Sequence, residues 1–238
     1  MKKVLFLTMC ATLSAFGTSL MDGESNEAST GDGSTSVARM WNLGGGLSMS
    51  VRGFELINGS FVTANTTQFG VGNIGLGVCG SSEDCNFNQW QIDNAPPGGQ
   101  DFVLFTFSSK VDLVNFTVKQ TTQSFDSDWA WATSVNQLTN PTGMSITNVN
   151  GPVLNAGQSD SRTIGSATGI QSLLVGVGPM NDGCSSYHTE RCDYFKLADI
   201  EVSTSVTTSS TPEPGSMALL GAGLLGLGAW GHRRRRKA

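Results

Sequence analysis

Charge is scarce in this chain: 14% of its 238 residues are Asp, Glu, Lys or Arg, against roughly 25% in an average soluble protein. Histidine is scarcer still, with two copies, and only His188 lies outside the basic C-terminal tail. Sustained helical periodicity is missing from the interior, and 30 glycines would weaken helices wherever they fell. Coiled-coil, collagen-like and polytopic membrane architectures are excluded by pattern. No G-x-S-x-G elbow and no internal repeat is present. The chain instead has 12 Phe and 5 Trp, enough for an aromatic core in one domain of ordinary size.

The few charges are segregated. Residues 18–212 carry 7 basic and 18 acidic side chains, a net of −11. The remaining basic residues sit at the two ends. An acidic body argues against a nucleic-acid partner.

The N-terminus reads Met1-Lys2-Lys3, then an uncharged run from Val4 to Phe16, then Ala15-Phe16-Gly17. A positive start, a short apolar run and a small-x-small site describe a secretory signal peptide over 1–17, cut by signal peptidase after Gly17. At the other end, Pro212-Glu213-Pro214 precedes an uncharged, Gly- and Leu-rich run, Gly215 to Gly231, and then Arg233-Arg234-Arg235-Arg236-Lys237. As a helix that run would reach about 26 Å, slightly short of a hydrocarbon core of about 30 Å. The basic cluster would hold its end in the cytoplasm. The spacing thus predicts a single hydrophobic helix that anchors the chain transiently in the inner membrane.

These terminal residues resemble the PEP-CTERM sorting signal of exosortase substrates, over about residues 211–236. The resemblance implies a Gram-negative bacterium that makes extracellular polysaccharide. It also implies an exosortase that cuts near Pro212-Glu213-Pro214, and a location at the cell surface or outside the cell. It implies sorting, not a biochemical activity.

Between the ends, 18–36 reads as a flexible acidic, Ser- and Gly-rich segment and 203–211 as a Ser/Thr stalk. Residues 37–202 form the ectodomain, with 212–238 as the sorting signal. Short runs rich in Val, Phe and Ile, broken by Gly, Asn, Asp and Pro, predict strands near 48–57, 61–65, 69–78, 101–107, 110–120, 128–133, 172–177 and 193–202. A phase change near Val114 predicts a bulge, and Ser108-Ser109 a tight hairpin turn. The fold expected is all-β, a β-sandwich of jelly-roll kind. Four segments also resemble the ectodomain of exosortase-dependent surface proteins: Gly75-Leu76-Gly77-Val78-Cys79, Gln91-Ile92-Asp93-Asn94, Asp101-Phe102-Val103-Leu104-Phe105 and Asp193-Tyr194-Phe195-Lys196-Leu197. That resemblance implies a shared fold and no chemistry.

Removing the leader takes Cys10 with it and leaves Cys79, Cys85, Cys184 and Cys192. An even count in an oxidising compartment reads as two disulfides. Three pairings are open; Cys79–Cys85 and Cys184–Cys192, each bracketing a polar turn, are favoured. The spacings match no zinc ribbon or finger.

Chemistry is thin. Ser186, His188 and Asp193 could be imagined as a triad, but residues so close in sequence rarely reach that geometry. Glu55, Glu83, Asp93 and Asp101 are carboxylates that a glycosidase pair could draw on. Trp129 and Trp131 share one face of a strand, where they would be core or, if exposed, a platform for sugar rings. Asp126 and Asp128 are weak candidates for calcium, which takes hard oxygen ligands; no other metal or cofactor is expected. The function expected is a non-enzymatic surface or matrix protein, structural or adhesive within the exopolysaccharide layer. A carbohydrate-binding module is the alternative, and a secreted hydrolase a more distant one.

Overall fold

The structure is a computed structural model and describes residues 14–19, 35–36, 38–68, 75–80, 91–94, 99–120, 126–164, 167–179 and 193–204. All of them fall in one compact unit, Leu13–Ser205.

Alternation of apolar and polar residues builds the strands. In β3 (Ala38–Gly44) every second residue is buried, and β4 (Leu47–Ile57) buries Leu47, Met49 and Val51 the same way. β4 turns into β5 (Ser60–Gln68) through Asn58-Gly59, with φ of 50° and 77°. A two-residue hairpin with both central residues left-handed is the turn that Asn-Gly favours, because its twist matches that of the strands. β1 (Ser14–Ser19) and β2 (Thr35–Ser36) precede these strands, and β6 (Leu76–Cys79), β7 (Ile92–Asp93) and β8 (Gln100–Lys119) follow. β9 (Trp129–Ser134), β10 (Thr147–Val149), β11 (Ser159–Arg162), β12 (Ile170–Val177) and β13 (Tyr194–Thr204) complete the set. No helix occurs among the described residues, so none there could cross a membrane. The all-β expectation holds.

The jelly-roll sandwich does not. β13, β6, β5, β4 and β8 are hydrogen-bonded in that order, and β8 also pairs with β13, so five strands close on themselves as a barrel. β12, β9 and β10 extend the sheet beyond β8. Closure follows from the 20-residue length of β8. Its first half pairs with β4 (Phe54↔Phe102) and β12 (Leu174↔Leu104). Its second half pairs with β13 (Ile200↔Phe116) and β11 (Arg162↔Phe116).

The hairpin expected at Ser108-Ser109 is therefore absent. Its two arms take their partners from strands distant in sequence, not from each other. Along β12 the register steps from Ser172↔Thr106 to Ile170↔Val111, and the extra length of β8 is taken up at the exposed residues 108–110. The bulge expected near Val114 is present: Glu201 lies opposite Asn115 while Val202 lies opposite Leu113.

Among the described residues, two hydrophobic clusters hold the unit. The larger includes Trp41, Met49, Val51, Phe105, Phe116, Trp129, Phe195 and Val202. The smaller gathers Phe54, Phe102, Leu104 and Leu174, covered by Leu138, Met144 and Ile146. That cover is fastened to the strands: Thr106 Oγ1 donates to the Leu138 carbonyl at 2.7 Å, and Leu138 N donates to Ser172 Oγ at 2.9 Å.

Lys196, on β13, is fully buried, and burial pulls its pKa down from 10.5 to about 8. The folded state therefore resists the charged form. The resulting destabilisation is complete below about pH 8 and disappears as pH rises through 10.5, where the unfolded chain also loses its proton. We expect stability to rise across that window by an amount on the order of 3 kcal/mol. Lys196→Met should remove the rise and increase the melting temperature at pH 7. Parallel denaturant titrations of the two proteins at pH 7 and pH 10 check this.

Candidate metal centre

β9 and β13 both begin beside one another, and each is preceded by acidic residues. A parallel bridge joins Asp126 to Asp193, and Tyr194 N donates to the Asp126 carbonyl at 3.2 Å. The Asp193 side chain is fully buried. Its Oδ1 accepts from Asp128 N at 3.0 Å and its Oδ2 from Asn94 Nδ2 at 2.7 Å. Asn94 returns the bond, accepting from Asp193 N at 3.1 Å. Asp128 Oδ1 accepts from Gly151 N at 2.6 Å, and Asp126 Oδ1 from Ser127 N at 2.8 Å. Position 151 admits no side chain, because a Cβ there would collide with the Ser127 carbonyl.

This network brings carboxylate oxygens of Asp126, Asp128 and Asp193 within 4.8 Å of one another. The sequence supplied the first two as candidates and placed Asp193 in a different role. The signal that could have joined them is that Asp128 and Asp193 each lie immediately before a strand, with Asp126 two residues ahead of Asp128. A set of oxygen donors without nitrogen or sulfur suits a hard cation such as calcium.

Arg162 borders the cluster. Its Nη2 donates to Ser127 Oγ at 2.7 Å and its Nε lies 2.7 Å from Asp160 Oδ2. Burial lowers its pKa, while Asp160, Asp128 and Asp126 act in the opposite direction. With Asp160 counted, four carboxylates and one guanidinium leave a net charge of about −3, which one divalent cation would reduce.

The other candidates fall elsewhere. Trp129 is 5% exposed, within the larger core, and Trp131 packs partly buried against the same cluster. Trp129 therefore offers no open ring face to a sugar, because the larger cluster, with Phe116 and Arg162 against the indole, covers it. Glu55 and Asp101 face each other across β4 and β8 and are 1% and 2% exposed. Glu55 Oε1 accepts from Gly99 N at 2.7 Å, and Asp101 Oδ2 from Asp93 N at 3.3 Å. These carboxylates bind backbone within the fold rather than facing each other across an open cleft. A depression of about 300 Å³ beside the β3–β4 hairpin is lined by Met40, Trp41, Asn42, Gly46, Leu47 and Ser48, none of them titratable.

Cys79 is buried and disulfide-bonded, with its partner outside the described residues. Glu83, Cys85, Cys184, Ser186, His188 and Cys192 lie outside them too. So do Pro212-Glu213-Pro214, the run to Gly231 and Arg233–Lys237.

Compared with known proteins, residues 210–236 match the family model of the PEP-CTERM protein-sorting motif. The body, 37–202, lies outside that match. No curated protein and no solved structure matches the chain. The C-terminal segment is a PEP-CTERM protein-sorting motif, the mark of an exported protein held at the membrane before an exosortase processes it.

Proposed function

We propose that this is an exported surface or extracellular-matrix protein with a structural or adhesive role in the exopolysaccharide layer. The observation that carries the reading is a sorting motif placed directly behind a compact, acidic all-β unit. Signal peptidase removes 1–17, the Gly- and Leu-rich helix holds the chain in the inner membrane, and exosortase cuts near Pro212-Glu213-Pro214. Arg233–Lys237 stay on the cytoplasmic side. The disulfides are Cys79–Cys85 and Cys184–Cys192. The local pairings are favoured because each pair brackets a polar turn.

The test is the mass of the exported protein from its native host. The expected product begins at Thr18, lacks the residues beyond the Pro-Glu-Pro site and has four oxidised cysteines. A soluble cytosolic chain that retains both ends would overturn the reading.

A second reading concerns a ligand. The convergence of Asp126, Asp128 and Asp193 favours calcium as a structural cation in this unit. It would tie the starts of β9 and β13 together and stiffen the exported fold.

A further inference from the structure

In the unprocessed chain β1 forms the outer edge beside β13, with Ser14↔Thr204, Ala15↔Ser203, Phe16↔Val202, Gly17↔Glu201, Thr18↔Ile200 and Ser19↔Asp199. Cleavage after Gly17 removes four of those six residues. The backbone of 201–204 on β13 then loses its partner on that side, while β8 keeps the other along 201–203. A bare strand edge invites pairing with any other chain, and this one leads directly into the stalk.

We infer that the new N-terminus refills this edge: Thr18-Ser19-Leu20-Met21 slides four residues along β13 into the places of Ser14-Ala15-Phe16-Gly17. The inference rests on the processing proposed above. An even shift preserves the side-chain alternation of a strand, whereas an odd one would invert it. After the slide Leu20 stands opposite Val202, where Phe16 stood, and Ser19 stands opposite Ser203, where Ala15 stood. Val202 is fully buried, so an apolar residue suits that register position. Asp22-Gly23 follows at once, and that pair favours a turn away from the strand. Residues 24–34 then reach on the order of 36 Å towards Thr35 of β2. Leu20 and Met21 enter by sequence alone; the docking geometry is that of the strand already seen there.

The occupant is thus the protein's own mature N-terminus, not a second copy. It closes the edge at 201–204, giving up only the pairing of Thr18 and Ser19 with Ile200 and Asp199, and ties the first residues of the exported form to the strand that leads into the stalk.

The experiment is hydrogen exchange on the protein exported by its native host, following the peptide 199–204, with intact mass read on the same sample. Wild type is expected to exchange there about tenfold more slowly than Leu20→Asp, while Leu20→Val keeps the protection. Peptide 100–107, in the first half of β8, should stay protected in all three and so reports that the fold is intact. Equal rates at 199–204 in wild type and Leu20→Asp overturn the inference. So does protection that vanishes on dilution together with a dimer mass, since a second copy would then be the occupant. A mass that retains Ser14–Gly17 overturns the processing, and with it the slide, and is distinguished by that mass alone.

Discussion

Trp129→Ala lowers the unfolding free energy of the exported unit by roughly 3–5 kcal/mol. For a domain of this size that is a fall in melting temperature on the order of 10 °C. The indole ring meets Phe116 edge to face, with centroids 5.2 Å apart and planes at 74°. It also lies under Arg162, whose guanidinium carbon sits 5.8 Å from the ring centroid. Alanine would leave a cavity in the larger cluster and remove the surface on which a desolvated cation rests. Arg162 in turn holds Ser127 Oγ, next to both Asp126 and Asp128, so the loss extends towards the acidic cluster. Trp129→Phe should recover most of the stability, because a ring of similar shape keeps the edge-to-face contact. Retention on the native exopolysaccharide should not change. Thermal melts and a column retention assay on the same preparations decide between core and sugar platform: unchanged melting with lost retention would move Trp129 to a binding face.

The parts of the fold that were legible in the sequence are those set by nearest neighbours along the chain. β4, β9, β12 and β13 follow from short apolar runs bounded by turn residues, and the Val114 bulge from a break in the alternation along β8. The Asn58-Gly59 hairpin carries an equally local signal. What alternation cannot report is which strand lies beside which. Ser108-Ser109 has the composition of a turn, yet residues 112–119 are drawn to β13 and β11, some forty to ninety positions away. A polar pair then serves as an exposed bend in one continuous strand. Barrel closure is the same problem at larger scale, since it depends on β8 having partners along both halves. The acidic centre divides in the same way. Asp126 and Asp128 were visible because they are two residues apart; Asp193 joins them only through the pairing of distant segments.

Asp193 is consequently where removal of one side chain should be felt in two measurements at once. Asp193→Ala withdraws the acceptor from Asp128 N, at a partly buried position, and one of two acceptors from the buried Asn94 Nδ2, which keeps the Gly178 carbonyl. Loss of a buried hydrogen-bond partner costs about 1–3 kcal/mol, so the variant should lose roughly 1–4 kcal/mol with no cation present. The second effect concerns calcium. Carboxylates within 4.8 Å repel by about 3 kcal/mol per pair at an effective dielectric of about 20. The donors from Ser127 N, Asp128 N, Gly151 N and Asn94 Nδ2 nevertheless hold the oxygens together. A bound dication would replace that repulsion with attraction. Calcium at about a hundred times its dissociation constant would then add about 2.7 kcal/mol to wild type, and chelation would remove it. Asp193→Ala should lose this response, and Asp126→Asn should weaken it while leaving the buried donors of Asp193 satisfied. Melting curves of the three proteins in calcium, in magnesium and in chelator separate the two effects. If wild type melts at one temperature in all three solutions, the cluster is a hydrogen-bonded clasp between β9 and β13 and carries no cation. The cost of Asp193→Ala would then be the loss of that clasp alone.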